Sequence, residues 1–405
     1  MKQSLSCLWV FTWAVACSSS TGSTGSSPAS GGSAGTVASA GKGGVSSGGG
    51  AGAASSGAGA SGTTTATGGN GGTGGGTSAG AGGASGSGGA SASAGAGGAA
   101  TTGFKCPAGP FDAPILTGTA KRIAGAPPSD DFNKNGFGNV EGPVWIGDSL
   151  YFSEMQDGSL PLARILKLSP GGVVTVAVTD SGSNGMAVDA NGNLFAAVHK
   201  DGSISQVALP SGPEMAVVSK YMGSRFISPN DLAIRSDGTI YFSDPNYQND
   251  TDPPPQSAQR LYRVTPAPER AVSVISDSPN PPNGVTLSPD EHTLYVSGGG
   301  LKKFTVAADG SVSGGVDFVV GSGGDGMVVD CSGNLYVAGS PGNGIRVYAP
   351  TGTPLGTIAV DTGGATPTNV AFGGTDHKTL YITAQGNDGQ RGVFSIALNV
   401  PGYPY

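Results

Sequence analysis

The sequence predicts an all-β protein, a six-bladed β-propeller that follows a signal peptide and a long disordered Gly/Ser/Ala linker. The main observation is a short sequence motif that occurs six times and begins with a polar residue each time. Its pattern predicts a strand, a tight turn and a second strand. Successive copies start 42 to 53 residues apart. A repeat of roughly 40 to 50 residues with this content is typical of propeller blades. The polar first residues are Glu141, Asn184, Asn230, Asn283, Asp325 and Asn369.

The N-terminus has the composition of a secretory signal peptide over residues 1–16. Lys2 gives a positive start, residues 5–15 form a short apolar stretch, and small residues stand directly before Cys17. The segment also resembles the lipobox of bacterial lipoproteins, in which the cysteine becomes lipidated; the alternative is an ordinary signal peptide. We therefore expect an exported protein, either a bacterial lipoprotein anchored to a membrane through Cys17 alone, or a periplasmic or secreted one.

Residues 17–103 consist almost entirely of Gly, Ser, Ala and Thr, with Lys42 as the only charge. A segment with almost no large apolar side chains cannot offset the entropy lost on ordering, so we predict a disordered spacer. The remaining residues 104–405 are long enough for one large β domain. All 27 acidic residues and 18 of the 20 basic ones lie there, which gives a net charge of −9 and no basic run. Nucleic acid is therefore an unsuitable partner.

Only two cysteines, Cys106 and Cys331, fall in the predicted propeller. An oxidising compartment permits a disulfide between them, but the spacing does not establish that they are close. The chain has no CxxC or HExxH spacing that would indicate a zinc site. Residues 115–123 are strand-like and could pair with residues 392–398 of the last blade, which would close the ring.

The geometry of a hairpin brings the first residue of each copy to one face of the propeller, around the central axis. The second strand returns to that face, so Glu154 and Asp244 should flank the same mouth, with His199 one step beyond its returning strand. The aromatic residues that recur in the second strands are expected to pack between blades. They are Tyr151, Phe195, Tyr241, Tyr295, Tyr336 and Tyr381.

Carboxylates near a propeller axis are unfavourable unless a cation or hydrogen-bond donors meet them. Oxygen ligands suit Ca²⁺, with Mg²⁺, Mn²⁺ or Zn²⁺ as alternatives. The ligands predicted for this divalent metal are Glu141, Asn230, Asn283 and Asp325. The alternative is that Asn-Gly and Asp-Gly starts only make the turn into the inner strand. We favour that alternative for Asn184 and Asn369, which could also bind water or substrate at the edge of the ring.

Four motifs in order resemble the gluconolactonase and senescence marker protein (regucalcin) family. They are VEGPVW, SPNDLAIRSDGTIYFSDPNY, PNGVTLSPDEHTLYVS and GDGMVVDCSGNLYVA. The resemblance implies a six-bladed propeller that hydrolyses lactones with one divalent metal in its channel. It implies that Glu141, Asn283 and Asp325 are metal ligands, that Asn230 contacts metal or substrate, and that Asp325 is the base or nucleophile. It also implies that His199 lines the pocket, although Val198 replaces the acidic residue usual before it.

The leading hypothesis is a metal-dependent hydrolase of lactones or related esters, acting as a monomer on a small-molecule substrate. Asp325 and His199 are the predicted catalytic residues, and Asn230, Asp244 and Asn184 the predicted substrate contacts. One alternative is a non-catalytic, surface-tethered propeller that binds a sugar, peptide or protein. Another is a hydrolase of phosphotriesters. A serine hydrolase is disfavoured because no Gly-x-Ser-x-Gly elbow occurs with a suitable histidine and acid.

Overall fold

A computed structural model describes the chain at residues 105–123, 128, 132–133, 136–158, 161–249, 254–278, 280–339, 344–387 and 389–403. The predicted signal peptide 1–16, Cys17 and the linker 17–103 lie outside these residues. The described chain is built from strands, turns and loops, and no helix occurs in it. A helix with the length and apolarity needed to cross a membrane is accordingly not found in the described ranges.

Four antiparallel sheets of four strands each follow one another along the chain, after a short first strand β1 (Thr119–Arg122). The first sheet contains β2 (Asn139–Ile146), β3 (Ser149–Met155), β4 (Ala163–Leu168) and β5 (Val174–Val178). The second contains β6 (Ser183–Val188), β7 (Leu194–Val198), β8 (Ser203–Val207) and β9 (Glu214–Val218). A small hairpin, β10 (Lys220–Tyr221) and β11 (Ser224–Arg225), comes next.

The third sheet contains β12 (Leu232–Ile234), β13 (Ile240–Asp244), β14 (Gln259–Val264) and β15 (Val272–Ser278). The fourth contains β16 (Pro282–Leu287), β17 (Thr293–Gly298), β18 (Leu301–Val306) and β19 (Val312–Val319). The remaining strands are β20 (Met327–Val329), β21 (Leu335–Val337), β22 (Gly344–Tyr348), β23 (Pro354–Val360), β24 (Thr366–Gly373), β25 (Thr379–Gln385) and β26 (Gly392–Ala397). These seven strands and β1 form one eight-stranded sheet, in the order β20-β21-β22-β23-β1-β26-β25-β24.

Strand β1 joins the two halves of the eight-stranded sheet. Its first residues pair in parallel with β23, and its last residues pair antiparallel with β26, where Lys121 lies opposite Ser395. The predicted pairing of residues 115–123 with the last hairpin is therefore confirmed. The blade prediction is met only in part, because the structure has four separate four-stranded sheets and one larger sheet in a propeller-like arrangement.

Buried apolar clusters lie between consecutive sheets and hold the arrangement together. Val285 and Leu294 of the fourth sheet pack with Tyr241 of the third, for example. One cluster combines Val140 of β2 with Val393 of β26, so the first four-stranded sheet and the last strand also share a core. The recurrent aromatic residues contribute to these clusters as predicted. Burying such side chains contributes roughly 1.5–3 kcal/mol each.

A disulfide joins Cys106 to Cys331, with the two Cα atoms 5.4 Å apart. Cys331 lies in the turn between β20 and β21, at the opposite end of that hairpin from Asp325. The C-terminal tail contacts the same turn, because Gly402 bridges Asp330 and the Tyr403 amide donates to the Val329 carbonyl. Both ends of the described chain are thus fixed to one turn, which the sequence spacing alone could not establish.

We expect the double substitution Cys106→Ser and Cys331→Ser to lower the free energy of unfolding by about 2–5 kcal/mol. The bond closes a loop with a sequence separation of 225, so its loss releases much entropy to the unfolded chain. Denaturant unfolding of the full chain, with and without reductant, would measure the effect. In reductant, the wild-type protein should become as unstable as the double variant. Reductant should not change the stability of the double variant. Equal stability of all four samples would contradict this expectation.

Candidate active site

The polar first residues of the repeats surround one end of the central axis, where the inner strands begin. Glu141, Asn184 and Asn283 belong to β2, β6 and β16, whereas Asn230 and Asp325 stand two residues before β12 and β20. These five side chains line one cavity of about 250 Å³. The other described lining residues are Asn139, Met155, Gln156, Gly158, Pro161, Tyr247, Gln248 and Gln385. The structure therefore brings all four predicted metal ligands and Asn184 together.

Asn369 does not line this cavity. It lies in the narrower channel below, together with Asp231, Thr286 and Tyr403. Its side chain hydrogen-bonds with Glu141, so it supports the ring from beneath. The prediction that grouped Asn184 with Asn369 as edge residues is thus refined, because one faces the cavity and the other faces the channel.

The glycine that follows most of the first residues allows neighbouring blades to approach closely. A Cβ atom on Gly185 would lie 2.4 Å from the Asp231 carboxylate, and one on Gly326 would lie 2.0 Å from the Asn369 side chain. The Gly185 amide donates to the Asn230 carbonyl over 2.7 Å. The Asn-Gly and Asp-Gly pairs therefore do more than make a turn, since they let each polar residue reach the axis.

Burial and mutual repulsion dominate the electrostatics of the ring. The pKa of Glu141 is raised well above its ordinary value, first by burial and then by the charges of Asp325 and Asp231. Burial raises the pKa of Asp325 to about 7, against hydrogen bonds from Asn283 and the Gly326 amide. Among the described lining residues there is no Lys, Arg or His. A negative site without basic neighbours is suited to a cation.

The donor set fits a hard divalent cation. It combines two carboxylates, Glu141 and Asp325, with the amide oxygens of Asn230 and Asn283. In the described ranges, no group of three or more His, Cys, Asp or Glu converges as a metal site. A mixed set of carboxylate and amide oxygens is one that Ca²⁺ accepts, with water completing its shell, and it contains none of the nitrogen or sulfur ligands that favour Zn²⁺.

Sequence reasoning missed a third acidic residue, Asp231. Its carboxylate is buried and accepts hydrogen bonds of 3.0 Å from the amides of Leu232 and Val285, which ties the third sheet to the fourth. Burial raises the pKa of this carboxyl to about 7. A signal was available, because Asp231 occupies a position where four other copies have glycine.

Asp244, a predicted substrate contact, is fully buried and does not line the cavity. It accepts hydrogen bonds from the amides of Ile227 and Ser228 at 3.0 and 2.8 Å, and so holds the segment that leads to Asn230. Glu154 acts in the same way in the first blade, where it accepts from the Gly138 amide at 2.8 Å and pairs with Arg164 at 2.6 Å. Neither acid lines the cavity, and both hold backbone segments that lead to lining residues.

The structure does not bring His199 into the cavity. The side chain is fully buried, and its Nε2 lies 2.9 Å from the carbonyl oxygen of Pro161, which is itself a lining residue. Burial lowers the pKa of the imidazole, which keeps it neutral. His199 therefore supports the backbone behind the cavity wall. A buried ring that contacts backbone cannot reach a substrate in the cavity.

Tyr247 and Gln248 line the cavity although the sequence analysis gave them no role. The Tyr247 side chain is 40% exposed, and its hydroxyl hydrogen-bonds with Asn283. Burial and the nearby Asp325 charge raise the pKa of the phenol to about 12, so it is neutral at ordinary pH. Tyr247 ends the SDPNY segment and Gln248 follows it, in a loop for which periodicity gives no position.

Comparison with known proteins gives a consistent match over the propeller. Residues 140–386 match the family model for the SMP-30/Gluconolactonase/LRE-like region. The chain is 32% identical over 283 residues to the gluconolactonase of Zymomonas mobilis, and the match covers 61% of this chain and 76% of that protein.

Two solved structures share the fold. A gluconolactonase from Xanthomonas campestris has a TM-score of 0.55 at 28% identity, covering 65% of this chain and 87% of that one. A regucalcin from Agrobacterium tumefaciens, described as a calcium-binding protein, has a TM-score of 0.53 at 19% identity and covers 71% and 97% of the two chains. At this identity the second likeness supports the fold only.

Proposed function

This chain belongs to the SMP-30/Gluconolactonase/LRE-like family, and on that premise we propose that it hydrolyses lactones to the corresponding hydroxy acids. The observation that carries the proposal is the convergence of Glu141, Asp325, Asn230 and Asn283 on a single cavity. Related esters are a second substrate class, since they undergo the same acyl transfer to water.

The proposed fold is a complete six-bladed propeller. We assign β20–β23 to the fifth blade and β24–β26 with β1 to the sixth, so that the eight-stranded sheet contains two blades joined through β1. The separate apolar clusters that include residues of β24–β26 support this assignment, because one also contains residues of the fifth blade and the other residues of the first. Such closure leaves no long exposed edge.

Glu141, Asn230, Asn283 and Asp325 are the residues that would hold a divalent cation, which we propose to be Ca²⁺. Bound there, the cation would polarise the carbonyl group of the lactone and stabilise the charge that develops on its oxygen. The identity of the cation is a proposal from the chemistry of the donors, since oxygen ligands and two carboxylates are the set that Ca²⁺ prefers.

The chain's own residues supply the base and the substrate contacts. Asp325 accepts a proton from the water that attacks the acyl carbon, a role open to it because its carboxylate lines the cavity. The bond between the acyl carbon and the ring oxygen then breaks, and the proton ends on the released hydroxyl group. Asn184 and Asn230, both at least nine-tenths buried at the cavity floor, would orient the hydroxyl groups of a sugar lactone.

The test is an assay of the purified full chain with glucono-δ-lactone, δ-valerolactone, an aryl ester and an aryl phosphotriester. Each substrate is measured after EDTA treatment and after separate addition of Ca²⁺, Mg²⁺, Mn²⁺ or Zn²⁺. We expect lactone turnover that EDTA removes and Ca²⁺ restores. Preferential turnover of the phosphotriester would instead support that alternative. Binding of Ca²⁺ without turnover of any substrate would support a non-catalytic propeller and overturn the proposal.

We also propose that the protein is exported and anchored through a lipid on Cys17, as the lipobox-like sequence AVAC suggests. Expression of the full chain in a bacterium, followed by membrane fractionation and mass spectrometry of the N-terminal peptide, tests this. A Cys17→Ser variant should leave the membrane fraction and lose the lipid mass. An unlipidated wild-type N-terminus would contradict the anchor.

A further inference from the structure

The cavity lining is rich in carboxamide groups and has no basic side chain among its described residues. Seven of these thirteen residues are asparagine or glutamine, whose amides both donate and accept hydrogen bonds. The carboxylates of Glu141 and Asp325 balance the charge of one divalent cation, so a bound cation would leave no positive charge over. Such a lining suits the hydroxyl groups of an uncharged lactone. A carboxylate carried by the substrate would lose its hydration there without a basic partner in the lining.

A cation, Arg391, lies next to one part of this lining. Its Nε donates to the carbonyl oxygen of Gly386 over 2.6 Å, and Gly386 follows the lining residue Gln385. Its Nη2 donates to both carboxylate oxygens of Asp157, at 3.0 and 3.1 Å. The Arg391 side chain is only 11% exposed, so solvent alone would screen its charge poorly if Asp157 did not face it.

Asp157 is connected to the same part of the lining in three ways. It stands between the lining residues Gln156 and Gly158 in the sequence, and it accepts a hydrogen bond of 3.0 Å from Nδ2 of the lining residue Asn139. We call the part of the lining formed by Asn139, Gln156, Gly158 and Gln385 the rim. The carboxylate of Asp157 cancels the charge of Arg391 beside this rim, so the pair adds no net charge to it.

We propose that Asp157 is a specificity residue, which cancels the charge of Arg391 and so keeps the cavity selective for uncharged lactones over lactones that carry a carboxylate. This inference rests on the proposed function. If Asp157 is made neutral, Arg391 keeps its charge, because a guanidinium stays protonated, but loses the negative charge opposite it. The rim then lies beside an uncompensated positive charge in a partly buried place, where it attracts an anion more strongly than in bulk water. An uncharged lactone should respond little to the same change.

The test uses D-glucono-1,4-lactone and D-glucaro-1,4-lactone. These lactones differ only at the terminal carbon, where the first has a hydroxymethyl group and the second a carboxylate. For wild type, kcat/KM should be at least about tenfold higher for the glucono-lactone. In Asp157→Asn, kcat/KM for the glucaro-lactone should rise about five- to tenfold, and that for the glucono-lactone should stay within about twofold. High salt should reduce the gain, because it screens the uncompensated charge.

Asp277→Asn is the matched control. Asp277 also pairs with an arginine, Arg260 at 2.6 Å, and its side chain is also 66% exposed. Neither Asp277 nor its sequence neighbours line this cavity, so the two lactones should keep their wild-type ratio of kcat/KM. A double variant, Asp157→Asn with Arg391→Gln, has no net change of charge at the rim and should also return to the wild-type ratio.

Other outcomes overturn the inference. An unchanged ratio in Asp157→Asn, or an equal change of both rates, would mean that the pair with Arg391 serves only to hold the fold. An equal gain in Asp277→Asn would assign the effect to the net charge of the domain. Wild type that hydrolyses the glucaro-lactone as fast as the glucono-lactone would show that no such selectivity exists. Wild type that hydrolyses neither lactone would overturn the proposed function, and this inference with it, a result distinct from all the others.

Discussion

Replacing Asp325 by asparagine should lower kcat/KM for lactone hydrolysis by about 10²- to 10⁴-fold without unfolding the domain. Asparagine keeps the shape of the side chain and can still accept the Gly326 amide, but it cannot take a proton from water. Because ionising the buried carboxyl is unfavourable, the variant should be at least as stable as wild type when no cation is present. Steady-state kinetics on glucono-δ-lactone and thermal unfolding in EDTA measure the two effects.

Asp317→Asn is a suitable control for this change. Asp317 lies on β19, pairs with Lys302 at 2.8 Å and is about half exposed, so its loss removes a negative charge away from the cavity. We expect its activity to equal that of wild type. Lactonase activity within tenfold of wild type in Asp325→Asn would be inconsistent with a base at this position, whatever the stability of the variant.

Substitution of Glu141 by glutamine should have the second largest effect. It should raise the stability of the cation-free protein and lower its lactonase activity. The pKa of Glu141 is raised by burial and by two other acids, so the folded state favours the protonated form and loses stability as pH rises through that pKa. Glutamine is always neutral, so the variant should unfold at a higher temperature than wild type in EDTA at neutral pH. Its lactonase activity should fall at least about tenfold, because a cation ligand is missing.

Calcium titrations of the same variant complete the test. Saturating a site at 100 times its Kd stabilises the folded state by about 2.7 kcal/mol, so wild type should gain Tm as Ca²⁺ is added. Glu141→Gln should gain much less. A Glu291→Gln variant, altered on the opposite face where Glu291 accepts from Ser236, should keep the full Ca²⁺ shift. A full shift in Glu141→Gln would contradict the assignment of Glu141 as a ligand.

Much of the fold was predictable because propeller repeats are local. Each strand–turn–strand motif has its own pattern of alternating apolar residues. The inner hairpins and the position of their first residues could therefore be predicted without knowledge of distant contacts. The pairing of residues 115–123 with the last hairpin was also predictable, since one blade needed an outer strand. The disulfide between Cys106 and Cys331 was not, because no local pattern relates two residues so far apart.

The site was predictable where it follows the repeat and unpredictable where it departs from it. Glu141 and Asp325 stand at a repeated position, so periodicity places both at the axis. Asp231 stands one position later, and Tyr247 lies in a connection after β13, so neither shares a periodic signal. His199 and Asp244 were expected near the mouth from chain direction alone, but direction does not determine whether a side chain faces the cavity or the backbone behind it.

The disulfide also holds the start of the described chain at the end of the hairpin away from the cavity. Cys106 is fastened to the turn between β20 and β21, whereas Asp325 stands at the other end of β20. Strands rise about 3.3 Å per residue, so roughly 20 Å separate these two ends. Opening the bond would therefore release the start of the described chain at the far end of the domain, without altering any residue that lines the cavity.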